Sequence, residues 1–165
     1  MLTFKTATIE DIKTIQSVAK PAFSDAYKSI LSPEQTVYML DMMYSDESLA
    51  KQLQGGHVFF IAFDGKNPCG YVSVEKQGEH LFHLQKIYLL KEYRGKGFGK
   101  ILFEKAQSYA LSQCSGECVV ELNVNRHNKA REFYKKMGMH IAESGDFDIG
   151  GGFYMNDYIM RKKLR

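Results

Sequence analysis

Leu84-Gln85-Lys86-Ile87-Tyr88-Leu89-Leu90, then Tyr93-Arg94-Gly95-Lys96-Gly97-Phe98-Gly99-Lys100, then Ile101-Leu102-Phe103-Glu104-Lys105-Ala106 is the stretch on which the fold turns. It reads as a strand, a basic glycine-rich turn and the start of a helix. Glycines let the backbone approach an anion and turn its N–H groups inward, and a helix N-terminus adds favourable potential. Arg94, Lys96 and Lys100 supply formal positive charge. The arrangement predicts a phosphorylated ligand. Two common phosphate loops do not fit the spacing. A Walker A loop needs a glycine where Arg94 stands and Ser or Thr where Ile101 stands. The dinucleotide fingerprint needs a third glycine where Leu102 stands, and no acidic ribose partner follows at the usual distance.

Arg94-x-x-Gly97-x-Gly99 resembles the pyrophosphate loop of the GNAT superfamily of acyl-CoA-dependent N-acyltransferases. A second segment strengthens the likeness. Leu122-Asn123-Val124 reads as a strand end, and Asn128-Lys129-Ala130-Arg131-Glu132-Phe133-Tyr134-Lys135-Lys136-Met137-Gly138 is similar to the family's second CoA-side segment. The likeness covers nearly the whole chain and implies one N-acetyltransferase domain over residues 1–165.

Composition agrees. A chain of 165 residues with 44% hydrophobic and 25% charged residues suits one globular domain with a real core. A net charge of +3, with basic residues spread along the chain, gives no argument for nucleic acid. The cluster Arg161-Lys162-Lys163-Leu164-Arg165 reads as a solvated chain end. Cys69, Cys114 and Cys118 are odd in number and lack zinc-site spacing, which predicts free thiols in a reducing compartment. No signal peptide or membrane-length apolar run is visible, so the expectation is a cytoplasmic protein with no membrane partner.

Periodicity gives the order of parts. Leu2 to Ala7 alternates like a strand. Thr8 and Asp11 mark a helix start, with Ile9, Ile12, Ile15, Val18 and Ala19 on its apolar face. Ser32-Pro33 begins a second helix, and a third follows Ser45 and stops before Gly55-Gly56. Strands are expected at His57–Phe63, Cys69–Gln77 and Leu81–Leu89. A long helix should cover Gly97 to Gln113, a strand Cys118 to Val124, and a helix Asn128 to Met137, ending at Gly138. Met139–Glu143 and Tyr154–Met160 should close the domain as a hairpin, with a turn at Gly150-Gly151-Gly152. The fold class is mixed α/β (α+β). The family resemblance implies a mostly antiparallel sheet of about seven strands flanked by helices, with a V-shaped splay between two parallel strands.

The same resemblance implies acetyl-CoA as cosubstrate, no metal, and acetyl transfer to an amine. Pantetheine would bond the backbones of Ile87 and Leu89 across Tyr88, and pyrophosphate would sit over Arg94, Gly95, Lys96, Gly97, Phe98, Gly99 and Lys100. Asn128 would bond the cofactor or cap a helix, and Lys136 would reach a phosphate or stay an exposed lysine. Tyr134 holds the family's acid position, where a phenol can protonate the leaving thiolate; packing against the cofactor is the other reading. The amine must lose a proton before it attacks. Some members carry a base on the fourth strand, four residues before the first pantetheine contact. His83 stands there, and period-two alternation would point it to the same side as Ile87. His80 and His83, at odd separation, do not make a metal pair.

The acceptor side should be lined by the first helices and last strands: Asp25, Tyr27, Glu34, Tyr38, Asp41 and a loop over Phe147 to Asn156. Met39, Met42 and Met43 read as helix core. Gln85 to Lys91 is similar to bacterial members that acetylate polyamines, so a polyamine-like small-molecule amine leads over protein or peptide amines. A CoA-binding sensor without catalysis is the alternative from another class. A homodimer through an exposed Tyr154–Ile159 strand edge is a further expectation.

Overall fold

Helix starts are set by short-range hydrogen bonds in the N-terminal third of the computed structural model, which describes Met1–Arg165. The Thr8 hydroxyl accepts from the Glu10 N–H at 3.3 Å, and the Asp11 carboxylate accepts from the Thr8 N–H at 2.8 Å. This reciprocal cap closes a 3-10 turn, Ile9–Asp11, ahead of helix α1, Ile12–Tyr27. Ile9 itself is exposed, so the apolar face begins at Ile12 and Ile15. Ser32 and Ser45 accept from the third N–H onward, each at 3.1 Å, to start α2, Pro33–Tyr44, and α3, Asp46–Gln54.

Strand β1, Leu2–Thr6, pairs with β2, His57–Asp64; β3, Asn67–Lys76, and β4, Leu81–Leu89, follow as an antiparallel meander. A glycine loop leads into α4, Phe98–Ser112. Then come β5, Val119–Asn125, α5, Ala130–Lys136, and the hairpin β6, His140–Gly150, with β7, Phe153–Lys163. The sheet order is β1-β2-β3-β4-β5-β7-β6, with β4 and β5 the parallel pair. No helix is long and apolar enough to cross a membrane.

Both faces of the sheet are covered, and β2 shows why. Phe59 and Ile61 enter a core with Ile15, Phe23 and Leu49 from α1 and α3, whereas Phe60 joins Phe103 and Ala106 of α4 on the opposite face. Met39 and Met43 belong to the first core, while Met42 is exposed.

Three sequence expectations change. β6 extends to Gly150, so residues 147–156 are the tip of a hairpin rather than a loop. Its residues are all exposed or half-buried, so no apolar alternation marks the strand. β7 lies between β5 and β6 and has no free edge, which removes the basis for pairing two copies through Tyr154–Ile159. The basic C-terminus is not a solvated end. Arg161 donates to Glu121 at 2.8 Å, Lys162 to the Met137 carbonyl at 2.8 Å, and Arg165 to the Cys114 carbonyl at 2.6 Å. Cations there satisfy carbonyls left open beyond helix ends.

Candidate active site

β4 and β5 stay together for only three pairs, Leu81 with Val119, Phe82 with Val120, and His83 with Glu121, and then diverge. Beyond that apex the β5-facing edge of β4 is free. The Leu90 N–H donates to the Cys69 carbonyl of β3 at 2.9 Å. By alternation, the main-chain groups of Ile87 and Leu89 face the gap. Two adjoining cavities fill it. One of about 560 Å³ reaches from Tyr27 and Ser29 of the α1–α2 side to Asn123, Asn128 and Tyr134. The other, about 420 Å³, lies over Gly95, Gly97, Gly99 and Lys100. Ile87, Tyr88, Leu89, Arg94, Ala130 and Tyr134 line both.

The glycine loop has the backbone its sequence requires. Gly95 and Gly97 sit at φ +79° and +82°, and Gly97 caps α4. The first-turn N–H groups of α4 therefore open toward the smaller cavity without intrahelical partners. A valine at 97 would strain this conformation by about 1–2 kcal/mol. Gly97→Val is expected to weaken acetyl-CoA binding about tenfold, measured by calorimetry, with little change in the core's unfolding midpoint.

Not every expected loop residue reaches the cavity. Phe98 stacks on Tyr93 with ring centroids 6.2 Å apart, Lys96 lies over the Tyr93 ring at 5.7 Å, and Lys136 is exposed on α5 away from both cavities. The Arg94 guanidinium forks between Asp25 Oδ2 at 2.6 Å and the Leu89 carbonyl at 3.1 Å. Arg94 therefore ties α1 to β4, and its hydrogen bond holds the Asp25 carboxyl below the usual range. Asp25 is thus committed to Arg94 rather than free for an amine. Glu34 and Asp41 are exposed on α2 outside both cavities, and Tyr38 donates to the Ile149 carbonyl at 2.9 Å to hold the hairpin tip. Asn128 Oδ1 accepts from the Ala130 N–H at 2.9 Å, which caps the start of α5 while Asn128 lines the larger cavity.

Tyr134 sits where the two cavities meet. It is buried, with its ring 5.4 Å from Phe133 and 6.3 Å from Phe103. Burial pushes its phenol well above the ordinary value, so the hydroxyl keeps its proton. That suits a donor and excludes a base at neutral pH.

His83 is elsewhere, and a bulge explains it. Leu84 pairs with Val74, but Lys86 pairs with Ser73, so Gln85 is an extra residue in β4. Parity slips by one there. Ile87 shares its face with Val72 and the α4 core, whereas His83 shares its face with Glu75 on the opposite side. The expectation that His83 and Ile87 point the same way is therefore wrong, and His83 lines neither cavity. Its Nδ1 is 3.6 Å from Glu121 Oε1, yet burial keeps its pKa below the ordinary value.

The same slip buries Lys86. Its Nζ lies over the rings of Phe59 at 5.2 Å and Tyr44 at 5.6 Å and donates to Gln52 Oε1. Burial brings its pKa down to about 8 from 10.5. The unfolded chain thus binds the proton more tightly, so stability rises between those two pH values and the full penalty, of order 3 kcal/mol, applies below them. Lys86→Met is expected to stabilise the protein by about 1–2 kcal/mol at neutral pH after losing the cation–π contacts. Urea unfolding should show the gain fading as pH rises from about 8 toward 10.5.

The Acetyltransferase (GNAT) domain model matches residues 27–148. The chain belongs to the GNAT acetyltransferase family. As a member it is an acetyl-CoA-dependent N-acetyltransferase acting on an acceptor amine. This GNAT chain is 25% identical over 165 residues to an uncharacterised N-acetyltransferase of Lactobacillus delbrueckii subsp. lactis, covering 94% of this chain and 93% of the relative. It is 27% identical over 162 residues to a spermidine N(1)-acetyltransferase of Thermoplasma acidophilum, again covering 94% and 93%. The crystal structure of PaiA N-acetyltransferase from Thermoplasma acidophilum in complex with coenzyme A superposes with a TM-score of 0.82 at 26% identity, over 99% of both chains. The mostly antiparallel seven-stranded sheet with its β4–β5 splay is the fold expected of a GNAT domain.

Sequence reading missed Lys86, Gln85 and Asp157. Nothing in the local pattern distinguishes an inward lysine at a bulge from an ordinary strand-edge lysine. Asp157 is a polar position inside a polar run, Asn156-Asp157-Tyr158, and only the β5–β7 pairing shows it buried.

Proposed function

We propose that this enzyme transfers acetyl from acetyl-CoA to a primary amine of a small, polyamine-like molecule, with Tyr134 as general acid. The observation that carries this reading is Tyr134 at the junction of two cavities, one on the glycine loop and one opening toward α1 and α2. The α4 N-terminus with Gly95, Gly97, Gly99 and Lys100 would hold the pyrophosphate, and the gap-facing backbone of Ile87 and Leu89 would hold pantetheine, sharing the Leu89 carbonyl with Arg94. Asn128 would bond the same ligand from α5.

Bound there, acetyl-CoA supplies the activated acyl group; the chain orients the amine and manages protons. A main-chain N–H near Leu89 would face the developing oxyanion. The Tyr134 hydroxyl gives its proton to the departing sulfur. Tyr27, Tyr88 and Tyr134 together line the larger cavity and would restrict water at the reacting carbon.

The spermidine acetyltransferase of Thermoplasma, related along nearly the whole chain, supports a polyamine-like acceptor. Thiol release from acetyl-CoA is measured against spermidine, simple alkylamines, amino acids, aminoglycosides and peptides. Turnover with spermidine above the other classes is the expected result. Preference for peptides would assign a protein amine instead, and acetyl-CoA binding without any turnover would favour a sensor.

A further inference from the structure

Asp157 lies on β7 opposite Asn125 of β5 and is only 5% exposed. Its Oδ2 accepts from Asn123 Nδ2 at 3.3 Å, while Oδ1 is buried with no hydrogen-bond partner. No cation closes on it. Arg126, the charged group on the adjoining turn, donates instead to Asp146 and to Ser144 of β6. A buried carboxylate oxygen without a donor costs about 1–3 kcal/mol or more, so it persists where a ligand or water supplies the donor. Asn123 lines the larger cavity, as do Tyr27 and Asn128. The field of Asp157 reaches Tyr27, whose phenol it helps to raise after burial.

Asp157 itself lines neither cavity, standing behind Asn123 and Tyr27. Within the amine acetylation proposed above, we propose that Asp157 is the proton acceptor for the acceptor's ammonium group, reached past Asn123 and Tyr27 through one water. The ammonium gives one proton to the Asp157 carboxylate and becomes a neutral amine. Its lone pair forms the C–N bond while the C–S bond breaks. Tyr134 gives its proton to the thiolate sulfur and recovers one from the acylated nitrogen. The proton on Asp157 leaves to water with the products. The overall yield is amide, free thiol and one proton.

The groups facing Asp157 fit this role. On α1 there is the neutral Tyr27, on β5 the neutral Asn123 and Asn125, on β6 Gly145, and beyond β5 the Arg126 already held by Asp146. Burial lifts the Asp157 carboxyl above the usual range, more than Asn123 and Arg126 lower it. A raised carboxyl is a stronger base. His83, on the apex pair with Glu121, is not needed for the step.

The test measures acceptor kcat/KM against pH at saturating acetyl-CoA, with spermidine and n-butylamine as probe amines. Asp157→Asn should lower acceptor kcat/KM by about 100-fold or more and abolish the acidic limb of the profile. Its acetyl-CoA affinity, read by thermal shift, should stay within about twofold, which separates loss of the base from loss of the fold. A variant that keeps the limb and loses less than about threefold overturns the assignment. If wild type binds acetyl-CoA but acetylates neither amine, the acceptor reading fails first. In that case, or if the variant does not fold, the wild-type Asp157 carboxyl carbon is followed by NMR in the CoA-bound protein. A resonance that titrates above the ordinary carboxylate range and moves on adding n-butylamine supports the role; one that does neither overturns it.

Discussion

Tyr134→Phe is expected to lower kcat for acetyl transfer by about 100-fold while acetyl-CoA affinity changes by less than about threefold. The ring contacts with Phe133 and Phe103 survive the substitution, so the cavity junction keeps its shape. What disappears is one hydroxyl. Because burial holds that hydroxyl protonated, its removal deletes the proposed proton donor without removing a charge. Single-turnover kinetics with acetyl-CoA and the best amine, beside calorimetry on the same protein, separate the two quantities. Unchanged turnover would make Tyr134 a packing residue.

The second large effect is on stability. Phe103 of α4 is fully buried, contacts both Phe133 and Tyr134, and lies beneath the Lys162 ammonium at 5.7 Å. Phe103→Ala is expected to cost about 3–5 kcal/mol, since flanking strands and α5 cannot collapse into the space together. For a chain of this size the midpoint should fall by roughly 10 °C. Differential scanning calorimetry with and without coenzyme A checks it. The ligand should recover part of the loss, because it binds only the folded cleft. A fall below about 1 kcal/mol would show that this core repacks around the vacancy.

These effects mark what the sequence could disclose. Ser32-Pro33, Ser45 and the glycine loop are local signals, so their helices were legible to within a residue or two. The glycine-loop side of the cleft was legible for the same reason, since Gly95 and Gly97 need their backbone conformation wherever they sit. The acceptor side was not. Asp25 reads as available until Arg94 reaches it from the glycine loop, and the burial of Asp157 shows only once β5 and β6 flank it on β7. His83 failed for a subtler reason. Alternation is reliable only along an unbroken ladder, and Gln85 has no mark that announces an extra residue.

That extra residue makes β4 a strand with two phases. Before it, Phe82 and Leu84 feed the α4 core; after it, Ile87 and Leu89 do. Tolerance to polar substitution along β4 therefore alternates with even-numbered positions sensitive on the α4 side up to Leu84 and odd-numbered positions sensitive from Ile87. The cleft's floor is thus written in a different reading frame from its apex, and a single-residue insertion or deletion between them would exchange the Ile87 and Leu89 wall for the buried lysine.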